Sequence, residues 1–177
     1  MLSEKRIKEA ETNVRAYLNE GLLRKSSSDD KIIALFINNA KESLIVADEI
    51  FKKEISDLWT IVTAYYSMYY YANAILLKLG YKIGDKIVHK IAADSLIVFV
   101  RDKIKKSILE EYEEIKNEAL NLAGIKADEI ISSFDLEKEK RSLIQYRTLD
   151  VEKKSKAITS LKRAKDFAIE INKLLID

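Results

Sequence analysis

Apolar residues recur at intervals of three and four along most of the chain, which is the spacing of amphipathic α-helices. These stripes predict helices over residues 3–20, 30–53, 56–79, 86–104, 107–123 and 127–146. Asp150 is expected to cap one further helix. The chain has few alternating β-branched runs of the kind that form strands, and it contains no proline. The pattern predicts an all-α, antiparallel up-and-down helical bundle with more than about 65% helix, and no β-sheet.

The third predicted helix is the most apolar part of the chain. Its central stretch, AYYSMYYYANA, holds five of the nine tyrosines, and the run Leu58–Leu77 carries no charge. That length would suit a membrane span. However, its tyrosine, threonine and asparagine side chains are spread over all depths, whereas interfacial tyrosines collect at the two ends of a span. We therefore predict a helix at the centre of the bundle, covered on most sides by neighbours.

This helix presents two aromatic faces. Tyr65, Met68 and Tyr69 share one face, which we expect to be largely buried. The other face carries Tyr66, Tyr70 and Asn73. Because tyrosine is enriched where one end of a side chain is buried and the other is wet, we expect the second face to meet a subunit partner.

Length and composition narrow the classes of protein and of site. A chain of 177 residues suits one helical domain over residues 1–177, with residues 1–25 as an N-terminal helix extension. The absence of cysteine and the single histidine exclude disulfides, thiol nucleophiles and clustered imidazole metal sites, so we predict no cofactor and no metal. The N-terminus is charged from residue 4 and has no apolar leader, which favours a cytoplasmic protein.

The net charge of +2 is unevenly distributed. Between Lys138 and Lys165 there are ten basic and three acidic residues, whereas the segment Glu110–Glu118 is acidic. The basic segment is either a set of solvated helix faces or a surface that faces phosphates.

The run LWTIVTAYYSMYYYANAILLKLGYKIGDKIVHKIAADSLIVF resembles the HEPN domain, a helical bundle of prokaryotes and higher eukaryotes. The matching positions are Ala64, Tyr65, Tyr66, Met68, Tyr69, Ala72, Ala74, Leu76, Leu77, Gly80 and His89. Upstream, Phe36, Ala40, Leu44 and Ala47 are similar to the preceding helix of the family. Downstream, RSLIQY is similar to its Arg-x4-Tyr motif, and the resemblance covers roughly residues 30–176.

The resemblance implies an antiparallel bundle that dimerises with its arginine motifs at a shared cleft. Many members of the family are metal-independent ribonucleases or toxins with Arg-x4-6-His, restrained by a minimal nucleotidyltransferase partner. Others bind nucleotide or RNA without catalysis. The resemblance gives Arg141, Tyr146 and His89 as catalytic candidates and Arg141, Arg147, Lys138 and Lys140 as RNA-binding candidates.

Tyr146 stands where the family motif has histidine, and no histidine follows Arg141. Cleavage of RNA without a metal needs a proton acceptor and a proton donor, and the histidine pKa near neutrality suits both roles. Tyrosine titrates near 10 and is a poor base at neutral pH, while Arg141 still supplies a bidentate cation. Binding therefore survives this change more easily than turnover.

Three functions remain open at this stage: a binder of RNA or nucleotide with weak or lost ribonuclease activity, a metal-independent ribonuclease toxin, and a structural or assembly dimer. His89 is either a packing or capping residue or a partner of Arg141 across the cleft. Tyr146 belongs either to the core or to the site.

Overall fold

The computed structural model describes residues 2–123 and 150–176. Within them, six helices account for about 78% of the residues, which confirms the all-α class. The helices are α1 Glu4–Asn19, α2 Asp30–Lys52, α3 Asp57–Lys78, α4 Val88–Phe99, α5 Lys106–Leu122 and α6 Asp150–Ile176. The helix predicted over residues 127–146 lies outside the described residues. Asp150, which was predicted to cap the last helix, is the first residue of α6.

Polar caps explain where the first three helices begin. The side chains of Ser3, Asp29 and Ser56 each accept a hydrogen bond from a backbone N–H in the first turn of α1, α2 and α3. Such bonds satisfy N–H groups that have no partner within the helix. At the other end of α3, Gly80 adopts a φ of +86°, a left-handed conformation that glycine adopts without steric cost.

The expectation that the chain has no β-sheet is wrong. Two strands, Leu23–Lys25 and Tyr81–Ile83, form a small antiparallel sheet that joins the α1–α2 and α3–α4 connections. Each strand is three residues long, too short for alternation to be visible in the sequence. At the end of the second strand, a Cβ on Gly84 would lie 3.0 Å from the carbonyl oxygen of Leu22. The close pairing of the two connections therefore depends on glycine at this position.

Helix α4 is shorter at both ends than the predicted span of 86–104. Ile87, at its start, has a φ of +43°, outside the right-handed helical region. Val100, the residue after its last, is no longer helical, with φ −121° and ψ −18°. Ile104, in the connection between α4 and α5, packs against the core.

The core surrounds α3, which packs against α2, α4, α5 and α6. Tyr65 and Met68 are fully buried, as predicted, whereas Tyr69 is only half-buried. Helix α1 covers α4, with Val14 and Tyr17 packed in one apolar cluster with Ile91. None of the helices in the described ranges combines the length and apolarity needed to cross a membrane.

Candidate functional site around His89

His89, the only imidazole in the chain, lies in the first turn of α4 against three tyrosine rings of α3. Its ring centroid lies 4.7 Å from that of Tyr69, 5.5 Å from Tyr65 and 5.9 Å from Tyr66. Tyr69 lies one turn of α3 from both Tyr65 (i, i+4) and Tyr66 (i, i+3), so its ring is a neighbour of both, and His89 of α4 contacts all three. We call the four residues the His89 cluster.

A hydrogen bond fixes the imidazole within this cluster. The hydroxyl oxygen of Tyr65 lies 2.8 Å from Nδ1 of His89. Tyr65 is fully buried, and burial raises the pKa of its hydroxyl well above the ordinary value of 10.0. The hydroxyl therefore stays protonated at neutral pH.

Tyr66 and Tyr69 form the outer part of the cluster. Both side chains are half-buried, and burial raises the pKa of each hydroxyl. Their rings meet edge to face, with centroids 6.3 Å apart and an interplanar angle of 85°. Partly exposed aromatic rings of this kind are the groups on which nucleobases stack in proteins that bind single-stranded nucleic acids.

Tyr112 of α5 supports the cluster from inside the core. Its ring lies 6.0 Å from that of Tyr65, edge to face, and 5.3 Å from that of Phe167 on α6. The Tyr112 hydroxyl is buried and has no hydrogen-bond partner among the described residues. Tyr65 is thus held by the Tyr112 ring on its core side and by the hydrogen bond to His89 at its hydroxyl.

The backbone two residues before His89 is strained. Ile87 is a β-branched residue in the left-handed region, and it precedes α4 without a side-chain cap for the first turn. A positive φ at such a residue is a genuine outlier, and strain of this kind collects at functional sites.

Three lysines place positive charge near this end of α4. Lys86 and Lys90 are exposed on either side of His89 in the sequence. Burial lowers the pKa of Lys116 on α5, whose charge is repelled by Lys90 and by Arg6 and attracted by Glu113.

The part of the predicted basic segment that lies on α6 is largely neutralised. Lys154, Lys156, Arg163 and Lys165 form ion pairs with acids elsewhere in the fold, at N–O distances of 2.7, 3.2, 2.7 and 2.6 Å. Two of those acids, Glu114 and Glu118, belong to the acidic segment of α5. The basic residues of α6 are therefore better interpreted as part of solvated, ion-paired helix faces than as a surface that faces phosphates.

The remaining predicted site residues lie outside the described residues: Arg141, Tyr146, Arg147, Lys138 and Lys140. Their placement near His89 stays a prediction. In the ranges that are described, no group of three or more histidine, aspartate or glutamate side chains is arranged to hold a metal ion.

Two surface clefts lie away from the His89 cluster. One, of about 220 Å³, runs between α5 and α6 and is lined by the ion pairs of Arg163 and Lys156. The other, of about 510 Å³, lies between α2 and α6 beside Leu44 and Ile45. Neither contains an aromatic ring.

The chain matches no protein-family model, no curated protein and no solved structure. The resemblance to the HEPN domain is therefore carried by the sequence motifs alone.

The sequence pointed to His89 but missed its surroundings. Tyr65 and Tyr69 were assigned to a buried face, and Tyr66 to a face for a partner subunit. In the structure all three contact the imidazole. The sequence feature that could have predicted these contacts is a tyrosine-rich helix followed by a histidine at the start of the next helix.

Proposed function

We propose that this chain is a HEPN-like protein that binds single-stranded RNA or a nucleotide at the His89 cluster. The observation that supports it best is the packing of the only imidazole against three tyrosine rings, two of them partly exposed. Aromatic rings stack on nucleobases whatever their sequence, and an imidazole adds a polar contact at the same place.

Charge and backbone geometry support the same proposal. Lys86 and Lys90 flank His89 and would attract a phosphate backbone. The strained backbone at Ile87 is what would be expected where the fold holds a functional side chain in place. The resemblance implies that Arg141, Lys138, Lys140 and Arg147 contribute to RNA binding as well.

Within this proposal, ribonuclease activity is weak or lost. Tyr146 replaces the histidine of the family motif, which leaves His89 as the only histidine in the chain. We also propose a cytoplasmic location, and the resemblance implies a minimal nucleotidyltransferase as the partner.

Binding of a labelled single-stranded RNA oligomer, followed by fluorescence anisotropy, tests the proposal. Tyr66→Leu should weaken binding by about 1–3 kcal/mol, the loss expected for one stacked base. Tyr81→Leu is the matched control, because Tyr81 is also half-buried but stacks on Phe99 at 4.0 Å, in another part of the fold. If Tyr66→Leu and wild type bind equally, or if neither binds, the proposal fails.

A second function, that of a structural or assembly dimer, is favoured by one observation. An uncharged stripe runs along α2 and another along α3, both at helical spacing. We call them together the α2–α3 face: Ile32, Leu35, Phe36, Asn39, Ser43, Val46, Ile50, Trp59, Thr63, Tyr66, Tyr70 and Asn73.

The two stripes lie on the same side of the bundle. Ile32 and Phe36 of α2 pack in one apolar cluster with Ala74 and Leu77 of α3, and Leu77 continues the α3 stripe. Leu35, Val46 and Trp59 are 57%, 45% and 55% exposed. We propose that a second copy of the chain covers this face, since closed two-fold dimers are the commonest assembly. Tyr66 belongs to both the face and the His89 cluster, so a second copy that covered Tyr66 would compete with a base stacked on its ring.

A further inference from the structure

We propose that Arg24 and Lys82, which lie on the outer face of the two-stranded sheet, together bind a phosphate group. The assignment of that phosphate to the backbone of a bound RNA rests on the proposed function. The site itself is inferred from the register of the sheet, from the exposure of the two side chains and from the absence of acidic partners for them among the described residues.

The two basic residues are directly opposed across the sheet. Arg24 is the middle residue of Leu23–Lys25 and pairs with Lys82, the middle residue of Tyr81–Ile83. Opposed side chains in an antiparallel pair lie on the same face, with Cβ atoms about 4.5–5.5 Å apart. Leu23 is fully buried whereas Arg24 and Lys82 are exposed, so the charged pair lies on the face turned to solvent. Like charges opposed in this way repel each other and weaken the pairing.

Acidic side chains do not neutralise this pair. Within the part of the chain that the structure describes, neither Arg24 nor Lys82 forms an ion pair. Lys25 is also exposed and unpaired, and the strands LRK and YKI contain no acid. Asp85, in the connection after the second strand, forms no ion pair with them either. The sheet therefore carries three positive charges and no negative one.

A hydrogen bond orients the guanidinium of Arg24. Its Nε donates to the carbonyl oxygen of Gly21 at 2.8 Å. A Cβ on Gly21 would lie 3.9 Å from Nε, so the arginine side chain lies against the glycine. With Nε engaged, the two terminal amino groups form a fork that suits two oxygens of one phosphate, and the ammonium of Lys82 adds a point charge. A phosphate between the two side chains would offset their repulsion.

The sheet is attached to the helix that carries His89. Leu23 and Ile83 pack in one apolar cluster with Ile87 and Ile91, which stand on either side of His89 in the sequence. Residues 84–87 connect the second strand to α4. Because the sheet and the start of α4 belong to one packed unit, we assign the phosphate to the RNA of the proposed function.

Fluorescence anisotropy with a labelled single-stranded RNA oligomer tests the inference in the double variant Arg24→Gln/Lys82→Gln. Its affinity should fall about 10- to 100-fold, as for the loss of a charge-assisted hydrogen bond. The log–log slope against salt should become shallower by about 0.7 for each phosphate contact that is lost. Lys41→Gln/Lys162→Gln is the matched control, because both lysines are exposed and neither forms an ion pair among the described residues. It should bind within about twofold of wild type.

Inorganic tripolyphosphate, which carries phosphates without bases, separates this inference from the proposed function. It should raise the midpoint of thermal unfolding in wild type and in the control, and less in Arg24→Gln/Lys82→Gln. Without the anion, that variant should unfold at the temperature of wild type or slightly above it, because it loses the opposed like charges. Weaker binding is then not a result of a damaged fold.

The outcomes identify which statement is wrong. If the double variant and the control bind RNA and tripolyphosphate equally well, or if tripolyphosphate does not stabilise wild type, the phosphate site is wrong. If wild type binds no RNA but tripolyphosphate stabilises it through Arg24 and Lys82, the proposed function is wrong and the phosphate site is confirmed.

Discussion

Arg6 of α1 donates a hydrogen bond to Asp94 of α4, with Nη2 of the arginine 2.6 Å from Oδ1 of the aspartate. Asp94 is fully buried and also accepts from Asn13 at 3.0 Å and from the Tyr17 hydroxyl at 2.8 Å. Arg6 in turn donates from Nε to Glu113 of α5 at 2.9 Å. A buried carboxylate with three donors, linked to a second carboxylate, attaches α1 to two helices of the bundle.

We expect Asp94→Asn to lower the free energy of unfolding by about 3–5 kcal/mol, as when one partner of a buried pair is removed. The asparagine amide keeps the shape of the side chain but loses the charge that compensates Arg6. Its NH₂ group would also replace a carboxylate oxygen that accepts from Arg6, or from Asn13 and Tyr17. Glu11→Gln is the matched control, because Glu11 of α1 pairs at 3.0 Å with Arg101, which lies just after the end of α4, but is partly exposed. It should cost under about 1 kcal/mol. Equal costs in urea titrations would show that burial of Asp94 has no special role.

Tyr112→Phe and Tyr65→Phe should affect stability in opposite ways. Tyr112→Phe removes a buried hydroxyl that has no hydrogen-bond partner in the described structure, so we expect no loss or a small gain in the free energy of unfolding. Tyr65→Phe removes the partner of His89 and should cost about 0.5–1.5 kcal/mol. Thermal denaturation of the two variants, side by side, measures the difference. A larger cost for Tyr112→Phe would contradict the hydrogen-bond assignment.

Alkaline pH should destabilise the protein through the same two tyrosines. Burial raises the pKa of both hydroxyls above 10.0 in the folded state. Below that value both hydroxyls are protonated in the folded and the unfolded chain, so neither lowers the free energy of unfolding. Above about pH 10 the unfolded chain ionises and the folded protein does not, so stability falls by up to about 1.4 kcal/mol per pH unit for each tyrosine. Tyr112→Phe should reduce that slope by one tyrosine's share. The free energy of unfolding is measured by urea titration over about one pH unit above pH 10. If its slope against pH is the same in Tyr112→Phe and wild type, the Tyr112 hydroxyl ionises as easily in the folded protein as in the unfolded chain.

Most of the helices could be predicted from the sequence, because each must cover an apolar stripe and stripes with period near 3.6 are visible without a structure. The pairing of Leu23–Lys25 with Tyr81–Ile83 could not, since it depends on two distant connections that meet in space. Periodicity also assigns a residue to a face but not to the neighbour that covers it. That is why the contacts of Tyr66 and Tyr69 with His89 were missed.

Asp94 carried a signal that periodicity alone does not explain. It is the one charged residue in the apolar run IAADSLIVFV, on a helix otherwise suited to the core. A lone acid at such a position indicates a buried partner, because an unpaired buried carboxylate is costly. The identity of that partner, Arg6, comes from a helix 88 residues earlier and required the fold.

Self-association through the α2–α3 face can be tested at one exposed position. Val46→Glu places a charge in the middle of this uncharged face and should shift the protein to the monomer in light scattering. Ile169→Glu is the control, because Ile169 is 56% exposed on α6, away from the face. Trp59, the only tryptophan, lies on the face, so its fluorescence should change with protein concentration in the control but not in Val46→Glu. A wild-type species of 20.4 kDa at micromolar concentration would contradict dimerisation.

Binding to single-stranded RNA should weaken with salt, with a log–log slope of about −0.7 for each phosphate that is neutralised. Arg141→Ala should cost about 1.5–3 kcal/mol if the arginine donates to a phosphate, because such bonds are charge-assisted. Lys162→Ala is the control, since Lys162 is exposed on α6, and it should cost under about 0.5 kcal/mol. If Arg141→Ala binds as tightly as wild type at every salt concentration, Arg141 is not part of the RNA surface.

Tyr146→His tests whether the proposed surface retains the geometry of a ribonuclease. The substitution supplies a group that titrates near neutral pH at the position of the family's histidine, and general acid–base catalysis of this kind typically contributes about 10²–10⁴-fold. Cleavage of total RNA in EDTA should therefore rise in Tyr146→His, and it should fall back in the double variant with Arg141→Ala. Tyr146→Phe should bind RNA like wild type, because the hydroxyl has no assigned role in binding. If Tyr146→His binds RNA but cleaves no faster than wild type, Tyr146 does not occupy a catalytic position and the chain is better described as a binding protein.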